Sequence, residues 1–579
     1  MILGSLLQLT QISEAGRRCT SSSEWKLVGL VVWFRLVLLL AMAISCHFIP
    51  DHNPGGNVLR FDMRLLNNEE QQQQQQQPQQ QGEEEEDCFC IKGHFCEHFG
   101  GNDESSSGNC AIASGNTFLP SPIWHFFLAP LTKWDAARFL NLALDPTMLD
   151  PKCSTTSGAV HCNFDASEEA HAFFPLFPAI VGQLAILAMN LVPLEFLPPT
   201  FEALLTLCGF LSNMTCAVVA TLCLFQLTLS ILPEEMKPEQ QRHIAWTTCL
   251  INGVWNPASV FFVSNYSESL FSATTLLGHY LFQMENNLIG MGLGVVVWTI
   301  GSNVRSNGIL QSLWLIVYAL AKTCAYAITR NKKNSGLKYH HFYYYYHHHL
   351  VHAVFAIVAA VIIAQPMKWH DLQGFNRHCH GSLPSNQVPE WCALQQEGNE
   401  SFSLYGFVQR KHWNVGFMKY YEWKQIPNFL LAAPILLLSV KGVYQWIHYS
   451  LVTDFGKGKL PLPRLILMDW PIQALAESVS TSIKTTNSNP LRPEEWLIHN
   501  PWLLGHYAIL AIVTLVGAFI AHVQISTRMI LSSSPASIWY LTFLIMQREE
   551  PKLQIAARTY PCLYILLGII LHVNFLPWT

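Results

Sequence analysis

The chain has 579 residues, of which 50% are hydrophobic and only 13% are charged, and its formal net charge is −5. Soluble globular domains carry about a quarter charged residues, so this composition excludes an ordinary soluble protein and is typical of one that crosses a membrane several times. The acidic excess lies largely in one loop, so the net charge gives no sign of nucleic-acid binding.

The first apolar run, residues 27–48, is long enough to span a bilayer. It follows Arg17, Arg18 and Lys26, and because basic flanks stay on the cytosolic side, residues 1–26 are predicted to be cytosolic. A cleaved signal peptide is the competing interpretation, but its apolar region would be shorter. We therefore interpret the run as a retained membrane anchor.

A polar loop, residues 49–171, follows the anchor and is predicted to be lumenal. Its Gln/Glu tract at 71–87 cannot bury apolar surface, so residues 66–110 are interpreted as a disordered insertion. The chain has 16 cysteines, which fits a protein with one face in an oxidising lumen. An even number of them falls in this loop and is compatible with disulfides of unspecified pairing. They are Cys88, Cys90, Cys96, Cys110, Cys153 and Cys162.

A zinc site is the alternative for part of this loop, because His94 and His98 lie close to Cys88 and Cys90. The spacing is not that of a standard zinc finger, and a lumenal position favours disulfides. We therefore predict no metal site here.

Many further apolar segments follow, and they predict an all-α integral membrane protein with roughly eight to twelve membrane segments. Residues 172–366 form a multi-pass core, 367–425 a second lumenal loop, and 426–579 the C-terminal membrane segments. The 535–547 segment is short enough to be re-entrant. The segments are 173–197, 202–232, 245–264, 268–283, 287–302, 309–329, 348–366, 427–447, 503–523, 535–547 and 558–576.

The basic stretch Thr329–Lys338 is predicted to be cytosolic, which makes the loop from Lys368 to Gln425 lumenal. Counting segments forward from the N-terminus gives the opposite parity. We expect that one segment between 202 and 309 does not cross fully.

Three glycosylation sequons occur, at Asn213, Asn265 and Asn399. The first two lie within or against apolar runs, so only Asn399 is predicted to accept a glycan, which agrees with a lumenal loop. The His- and Tyr-rich run at 340–352 resembles a metal cluster, but we interpret it as a low-complexity stretch at the membrane interface.

Ionisable residues near or inside membrane segments are costly, and their default interpretation is functional. The alternative for each is a charge at a helix end that snorkels to water or pairs with a neighbour. One exposed acid with several cations is the mixture that transfer from an anionic lipid phosphate requires. The residues are Arg35, Asp135, Glu268, Arg305, Glu422, Lys424, His522 and Arg528.

Asp135 is the leading candidate for a catalytic base. A sugar hydroxyl is a poor nucleophile, so a carboxylate within hydrogen-bond reach must accept its proton, while nearby cations stabilise a leaving phosphate. Trp134 beside it would stack on a sugar or exclude water. Alternatively, Asp135 caps a short interfacial helix.

Several motifs resemble the PIG-V type GPI mannosyltransferases, the family that adds the second mannose to the glycosylphosphatidylinositol (GPI) precursor. The resemblance covers nearly the whole chain apart from the Gln/Glu insertion, and the "WNVGF" and "NFLPWT" motifs are highly specific. The motifs are "IPDH" (49–52), "KWDAARF" (133–139), "AFFPLFP" (172–178), "NPASVFFVSNYSESLF" (256–271), "VRSNG" (304–308), "HWNVGFMKYYEWKQIPNFLLAAP" (412–434), "HVQISTR" (522–528) and "HVNFLPWT" (572–579).

This resemblance implies a GT-C type glycosyltransferase of the endoplasmic reticulum membrane with its active site in the lumen. It implies dolichyl phosphate mannose as donor, an α-1,6 product linkage, and a base in the first lumenal loop, which is Asp135 here. A β-linked donor and an α-linked product imply inversion by a single displacement. No Asp-x-Asp pair of the nucleotide-sugar type was found, so no metal or other cofactor is expected. Relatives carry an acid where this chain has Ala137, which weakens the assignment to Asp135 alone if that acid takes part.

We predict Asp135 as the catalytic residue. The predicted partners are the lipid bilayer, dolichyl phosphate mannose and the GPI precursor, and a small membrane subunit is a further possible partner. A dolichol-linked mannosyltransferase of N-glycan assembly is the alternative enzyme, and a multi-pass lipid transporter or a structural subunit the alternatives from other classes. No self-similarity of the two halves supports a transporter. The predicted substrate-binding residues are Trp134, Arg305, Trp413, Asn414, Glu422, Lys424, His522 and Arg528.

Overall fold

The structure is a computed structural model, and it is described for part of the chain. Apart from one small hairpin, the secondary structure of this part is helical, which confirms the predicted all-α fold. The described residues are 21–49, 121–146, 152–156, 159–163, 165–233, 235–283, 288–331, 339–379, 389, 391–392, 403–448, 492–500 and 503–574.

Nineteen α-helices lie in the described part of the chain. In the first half they are α1 (Ser21–Phe48), α2 (Ser121–Leu128), α3 (Asp135–Leu144), α4 (Asp165–Ala170), α5 (Leu176–Leu191), α6 (Phe201–Ile231), α7 (Pro238–Gly253), α8 (Ser259–Val263), α9 (Glu268–Phe282) and α10 (Leu288–Val304). In the second half they are α11 (Leu310–Asn331), α12 (Tyr339–Cys379), α13 (Leu404–Trp413), α14 (Ile426–Ile447), α15 (Trp496–His499), α16 (Leu504–Phe519), α17 (Ser526–Ser533), α18 (Pro535–Met546) and α19 (Pro551–Val573).

Five described helices are long and apolar enough to cross a membrane. Two bent helix pairs, one at 493–519 and one at 523–546, raise the number to seven if each pair is one span. The chain is therefore a multi-pass membrane protein, but its described part gives fewer spans than the roughly eight to twelve expected from apolar runs alone. The five helices are Glu24–Phe48, Phe201–Ile231, Leu350–Cys379, Trp423–Ile447 and Pro551–Val573.

The predicted segment 245–264 is not one helix, and this accounts for part of the difference. Helix α7 ends at Gly253, and the side chain of Asn256 then accepts a hydrogen bond from the backbone N–H of Ala258 at 2.9 Å, which forms a turn before the five-residue α8. The expectation that one segment between 202 and 309 does not cross fully stays a prediction.

The short 535–547 segment was predicted to be re-entrant. It forms α18, which meets the helical stretch 523–533 at 89°. Ser534 separates them, because its hydroxyl accepts from the N–H of Ala536 at 3.3 Å and caps α18 while Pro535 starts that helix. This sharp bend is compatible with a broken membrane span and with a re-entrant loop.

Strands β1 (Lys152–Thr156) and β2 (Ala159–Asn163) form an antiparallel hairpin between α3 and α4. The register places the backbone of Cys153 opposite that of Cys162. Both belong to the loop in which disulfides were predicted. The other four cysteines of that prediction, the Gln/Glu insertion and His94 and His98 lie outside the described residues.

Small residues bring the central helices together. A Cβ on Gly278 of α9 would lie 2.4 Å from the ring of Trp298 on α10, so only glycine fits there. Trp298 is fully buried, and its indole N–H donates to the carbonyl of Thr275 at 3.2 Å. Close packing therefore fixes α9, whose first residue is Glu268.

Two of the sequons have structural roles. The side chains of Asn213 and Asn265 are fully buried, and both donate to backbone carbonyls, including those of Ser264 and Leu131 respectively. Neither has room for a glycan, in agreement with the prediction. Asn399 lies outside the described residues and stays the predicted acceptor.

The anchor helix α1 reaches the centre of the molecule through Arg35. Its guanidinium is buried and donates to the carbonyl of Phe262 on α8. Arg35 thus fixes the segment that leads to Tyr266 and Glu268. This intramembrane charge therefore has a structural role.

Candidate active site

Asp135 is the first residue of α3, and a strained backbone precedes it. Trp134 has a φ of 58°, a conformation that is unusual for a bulky residue. The Trp134 indole N–H donates to the carbonyl of His572 on the C-terminal helix at 3.0 Å. Because Trp134 itself occupies the N-cap position, the alternative interpretation of Asp135 as the N-cap residue is wrong.

The carboxylate of Asp135 is about one-third exposed, at 32%. Its Oδ2 accepts a hydrogen bond from Nη2 of Arg528 at 2.7 Å. This contact joins residues 393 positions apart in the chain. The acid is therefore both accessible and held by a cation.

Arg528 lies on α17 and is almost completely buried. Its Nη1 also donates to Oε1 of Glu268 at 3.2 Å. The centre of its guanidinium lies 5.3 Å from the ring of Phe261 and 5.1 Å from that of Tyr266, within the range of cation–π attraction. Two acids and two rings thus fix its position.

Glu268, at the start of α9, is fully buried. Its Oε1 also accepts from Nη1 of Arg305 at 2.6 Å, and Arg305 donates in addition to the hydroxyl of Ser267 at 3.2 Å. We call Asp135, Arg528, Glu268 and Arg305 the charge network. Its two negative and two positive formal charges balance, which offsets the large cost of burying each ion alone.

Tyr266 and His572 line the charge network. Burial raises the pKa of the Tyr266 hydroxyl well above its usual value, as does the nearby Asp135 carboxylate, so the phenol stays neutral. The hydroxyl donates to the carbonyl of Lys133 at 3.4 Å. The ring of His572 lies 5.5 Å from that of Tyr266, and neither of its nitrogens has a hydrogen-bond partner among the described residues.

A second group of predicted residues lies between α13 and α17. Asn414 ends α13 in the left-handed conformation, with a φ of 51°. The carbonyl of Trp413 accepts a hydrogen bond from Nε2 of His522, whose ring stacks on Tyr420 at 4.4 Å. Burial lowers the pKa of His522, so its imidazole is neutral. The group docks this segment onto the end of α16.

Glu422 and Lys424 form an ion pair of 2.6 Å with each other on the surface. Their side chains are 44% and 73% exposed. Within the described part of the chain, neither contacts the charge network. The structure therefore brings Trp134, Asp135, Arg305 and Arg528 together, but places this pair elsewhere, and their predicted substrate contacts stay predictions.

Glu268, Tyr266 and His572 were absent from the predicted site. Glu268 had been recognised as an intramembrane charge within the "SNYSES" motif, but the sequence does not show which cations it meets. Its contacts with Arg305 and Arg528 form only in the folded chain. A buried acid between two cations of the same membrane core was the signal that could have selected it.

A group of ion pairs and a disulfide lies beside α3. Arg138 of α3 pairs with Glu169 at 2.6 Å, and the adjacent Glu168 accepts from Lys411 at 2.6 Å and from the indole of Trp391 at 2.9 Å. A disulfide joins Cys379 and Cys392. This pair had not been predicted, because only cysteines of the first loop were considered, but it agrees with an oxidising compartment.

Among the described residues, no three His, Cys, Asp or Glu side chains are grouped so as to hold a metal ion. His352, at the end of the His- and Tyr-rich run, bonds through Nδ1 to the hydroxyl of Tyr318 at 2.8 Å. The run itself lies in α12, where the side chains before Leu350 are not described.

The charge network is equipped for one kind of chemistry. An accessible carboxylate can accept a proton, and the two arginines of the charge network can stabilise an anion. Transfer of a group from a phosphate leaving group to a hydroxyl needs both.

Comparisons with known proteins agree with this chemistry. The family model described as mannosyltransferase (PIG-V) matches residues 109–579. The GPI alpha-1,6-mannosyltransferase 2 proteins of Mus musculus and Homo sapiens are each 26% identical, over 78% of this chain and 88% of theirs. The GPI mannosyltransferase 2 of Yarrowia lipolytica is 29% identical over 56% of this chain and 64% of its own. No solved structure matches the chain.

Proposed function

The chain belongs to the PIG-V mannosyltransferase family, and from that premise we propose that it adds the second mannose to the GPI precursor in the lumen of the endoplasmic reticulum. The donor is dolichyl phosphate mannose and the new linkage is α-1,6. The names of the relatives support a GPI acceptor over the N-glycan alternative. The membrane helices suit two lipid-linked substrates.

One observation carries the mechanism: Asp135, the one acid of the charge network that is open to solvent, contacts the buried Arg528, and Glu268 links Arg528 to Arg305. The acceptor hydroxyl attacks the anomeric carbon of the donor mannose, and its proton passes to Asp135. The bond from that carbon to the phosphate oxygen breaks, and dolichyl phosphate leaves. Attack opposite the leaving group inverts a β-linked donor to an α-linked product.

The two arginines of the charge network take the developing negative charge of the phosphate. Arg305 and Arg528 are already fixed in place, so they stabilise this charge without reorganisation at the moment of reaction. Trp134, half-buried and tied to His572, offers its ring to a sugar beside the base. A small membrane subunit stays a prediction for this chain.

The test is complementation of cells that lack the second GPI mannosyltransferase, scored by surface GPI-anchored proteins and by the lipid that accumulates. We expect the wild-type chain to restore the anchors and Asp135→Asn to leave a one-mannose precursor at equal membrane expression. Asp145→Asn, at the opposite end of α3, is the matched control. Failure of the wild type would overturn the proposal, and full rescue by Asp135→Asn would show that the base lies elsewhere.

A further inference from the structure

Glu268 is a buried acid that the mechanism above does not use. It is fully buried, whereas Asp135 is 32% exposed. An acceptor hydroxyl can therefore reach Asp135 but not Glu268. Glu268 does not act as the base, and its place in the molecule needs another explanation.

The contacts of Glu268 are concentrated on one oxygen. Its Oε1 accepts from Nη1 of Arg305 at 2.6 Å and from Nη1 of Arg528 at 3.2 Å. The two arginines come from separate parts of the chain, one after α10 and one on α17. Because both nitrogens contact the same atom, the two guanidinium groups lie within reach of a single small anion.

Stability alone does not account for this acid. Its other oxygen, Oε2, is buried and has no hydrogen-bond partner among the described residues. A buried carboxylate with an unpaired oxygen destabilises the fold, and such local costs concentrate at functional sites. Without the acid, the like charges of Arg305 and Arg528 would repel each other, and nothing would join the two guanidinium groups, although Ser267 and Asp135 would still contact one each.

Resting on the function proposed above, we propose that Glu268 is a positioning residue that holds Arg305 and Arg528 together as a clamp for the donor phosphate. Arg528 uses Nη1 for Glu268 and Nη2 for Asp135. Glu268 can thus retain Arg528 while Nη2 moves from Asp135 to a phosphate oxygen. This exchange frees Oδ2 of Asp135 to accept the acceptor's proton as the phosphate arrives.

The experiment measures mannose transfer in membranes, with the donor and the one-mannose acceptor varied separately. We expect Glu268→Gln, nearly isosteric but uncharged, to raise the KM for the donor about tenfold or more while the KM for the acceptor stays unchanged, because misplaced phosphate contacts weaken donor binding. Glu268→Asp keeps the charge and restores part of the donor affinity. Glu550→Gln, which removes one acid of an exposed ion pair with Lys441, is the charge-matched control and keeps wild-type values.

A double-mutant cycle distinguishes positioning from a merely structural role. If Glu268 acts by holding Arg305, Glu268→Gln combined with Arg305→Gln has no larger effect on the donor KM than the worse single variant. Additive effects, equal shifts in both KM values, or a wild-type donor KM in Glu268→Gln would each overturn the inference. If Glu268→Gln does not accumulate in membranes, Glu268→Asp and Arg305→Gln decide, and an unchanged donor KM in both counts against it.

The outcome for the wild type separates the two proposals. Wild-type chain that transfers no mannose to a one-mannose GPI precursor overturns the proposed function and this inference with it. Wild-type transfer with an unaffected Glu268→Gln variant leaves the function standing and rejects the role of Glu268.

Discussion

The charge network and the Glu422–Lys424 pair both join oppositely charged side chains of a membrane protein, yet they differ in almost every physical respect. The network joins α3, α9 and α17, and its members lie up to 393 positions apart. The pair joins residues two positions apart and is largely exposed. Burying ions is costly whereas exposed pairs contribute little, so the network is the better evidence for function.

The largest effect is expected at the exposed end of the network. Asp135→Asn keeps the shape of the side chain but cannot accept a proton, so we expect mannose transfer to fall by about 100-fold or more. Transfer measured in membranes at matched expression checks this. Activity within a few-fold of wild type, with Asp145→Asn as reference, would remove Asp135 from the chemistry.

Arg528→Gln is expected to affect both activity and stability. It leaves Asp135 and Glu268 without a shared cation, and breaking a buried pair costs roughly 3 kcal/mol. Thermal unfolding in detergent should show a clearly lower Tm than for Arg558→Gln, which alters an exposed arginine. Equal Tm values for the two variants would show that the network does not stabilise the fold.

Trp134→Phe tests whether the hydrogen bond from Trp134 to His572 helps to position Asp135. The variant keeps an aromatic ring but loses the hydrogen bond to His572, whose net contribution is about 1 kcal/mol. We expect a several-fold loss of transfer, with Trp423→Phe, at an 89% exposed position, as the control. An identical response of both variants would mean that the bond does not position Asp135.

Lys424→Gln tests whether the exposed Glu422–Lys424 pair contributes to stability or activity. An exposed pair is worth about 0–1 kcal/mol, so we expect little change in Tm and transfer within about twofold of wild type. The measurement is the same membrane assay. A tenfold loss would support the prediction of a substrate contact at Lys424 and would extend the site to this surface.

A pH dependence of stability is expected from His522 in the second group. Burial lowers its pKa in the folded state, so below about pH 6.5 the unfolded chain takes up a proton that the folded chain does not. Stability therefore falls as pH falls from about 6.5 toward the folded pKa. Tm measured from pH 7 to pH 5 should decline less in His522→Gln than in wild type, and parallel profiles would contradict this.

Apolar runs predicted the membrane class and most helix positions, because a helix buried in lipid needs many consecutive apolar residues. They did not predict that 245–264 is broken, since Asn256 makes its turn with a local hydrogen bond inside an otherwise apolar stretch. Length and composition do not show where a side chain interrupts a helix.

Motifs and intramembrane charges selected Asp135, Arg305 and Arg528, all of which the structure brings into one network. They could not show that Glu268 bridges the two arginines, because that contact depends on the packing of helices distant in sequence. The disulfide between Cys379 and Cys392 was missed for a different reason. Disulfides were predicted only in the first loop, whereas these two cysteines lie in the second loop that is predicted to be lumenal.

The hydrogen bond from Trp134 to the carbonyl of His572 spans 438 positions of the chain. During synthesis, the segment around Asp135 enters the membrane long before α19 exists. The base can take its final position only after the last helix has been made and packed. We therefore expect a chain truncated before α19 to lack this support of Asp135 and to transfer less mannose than the full chain.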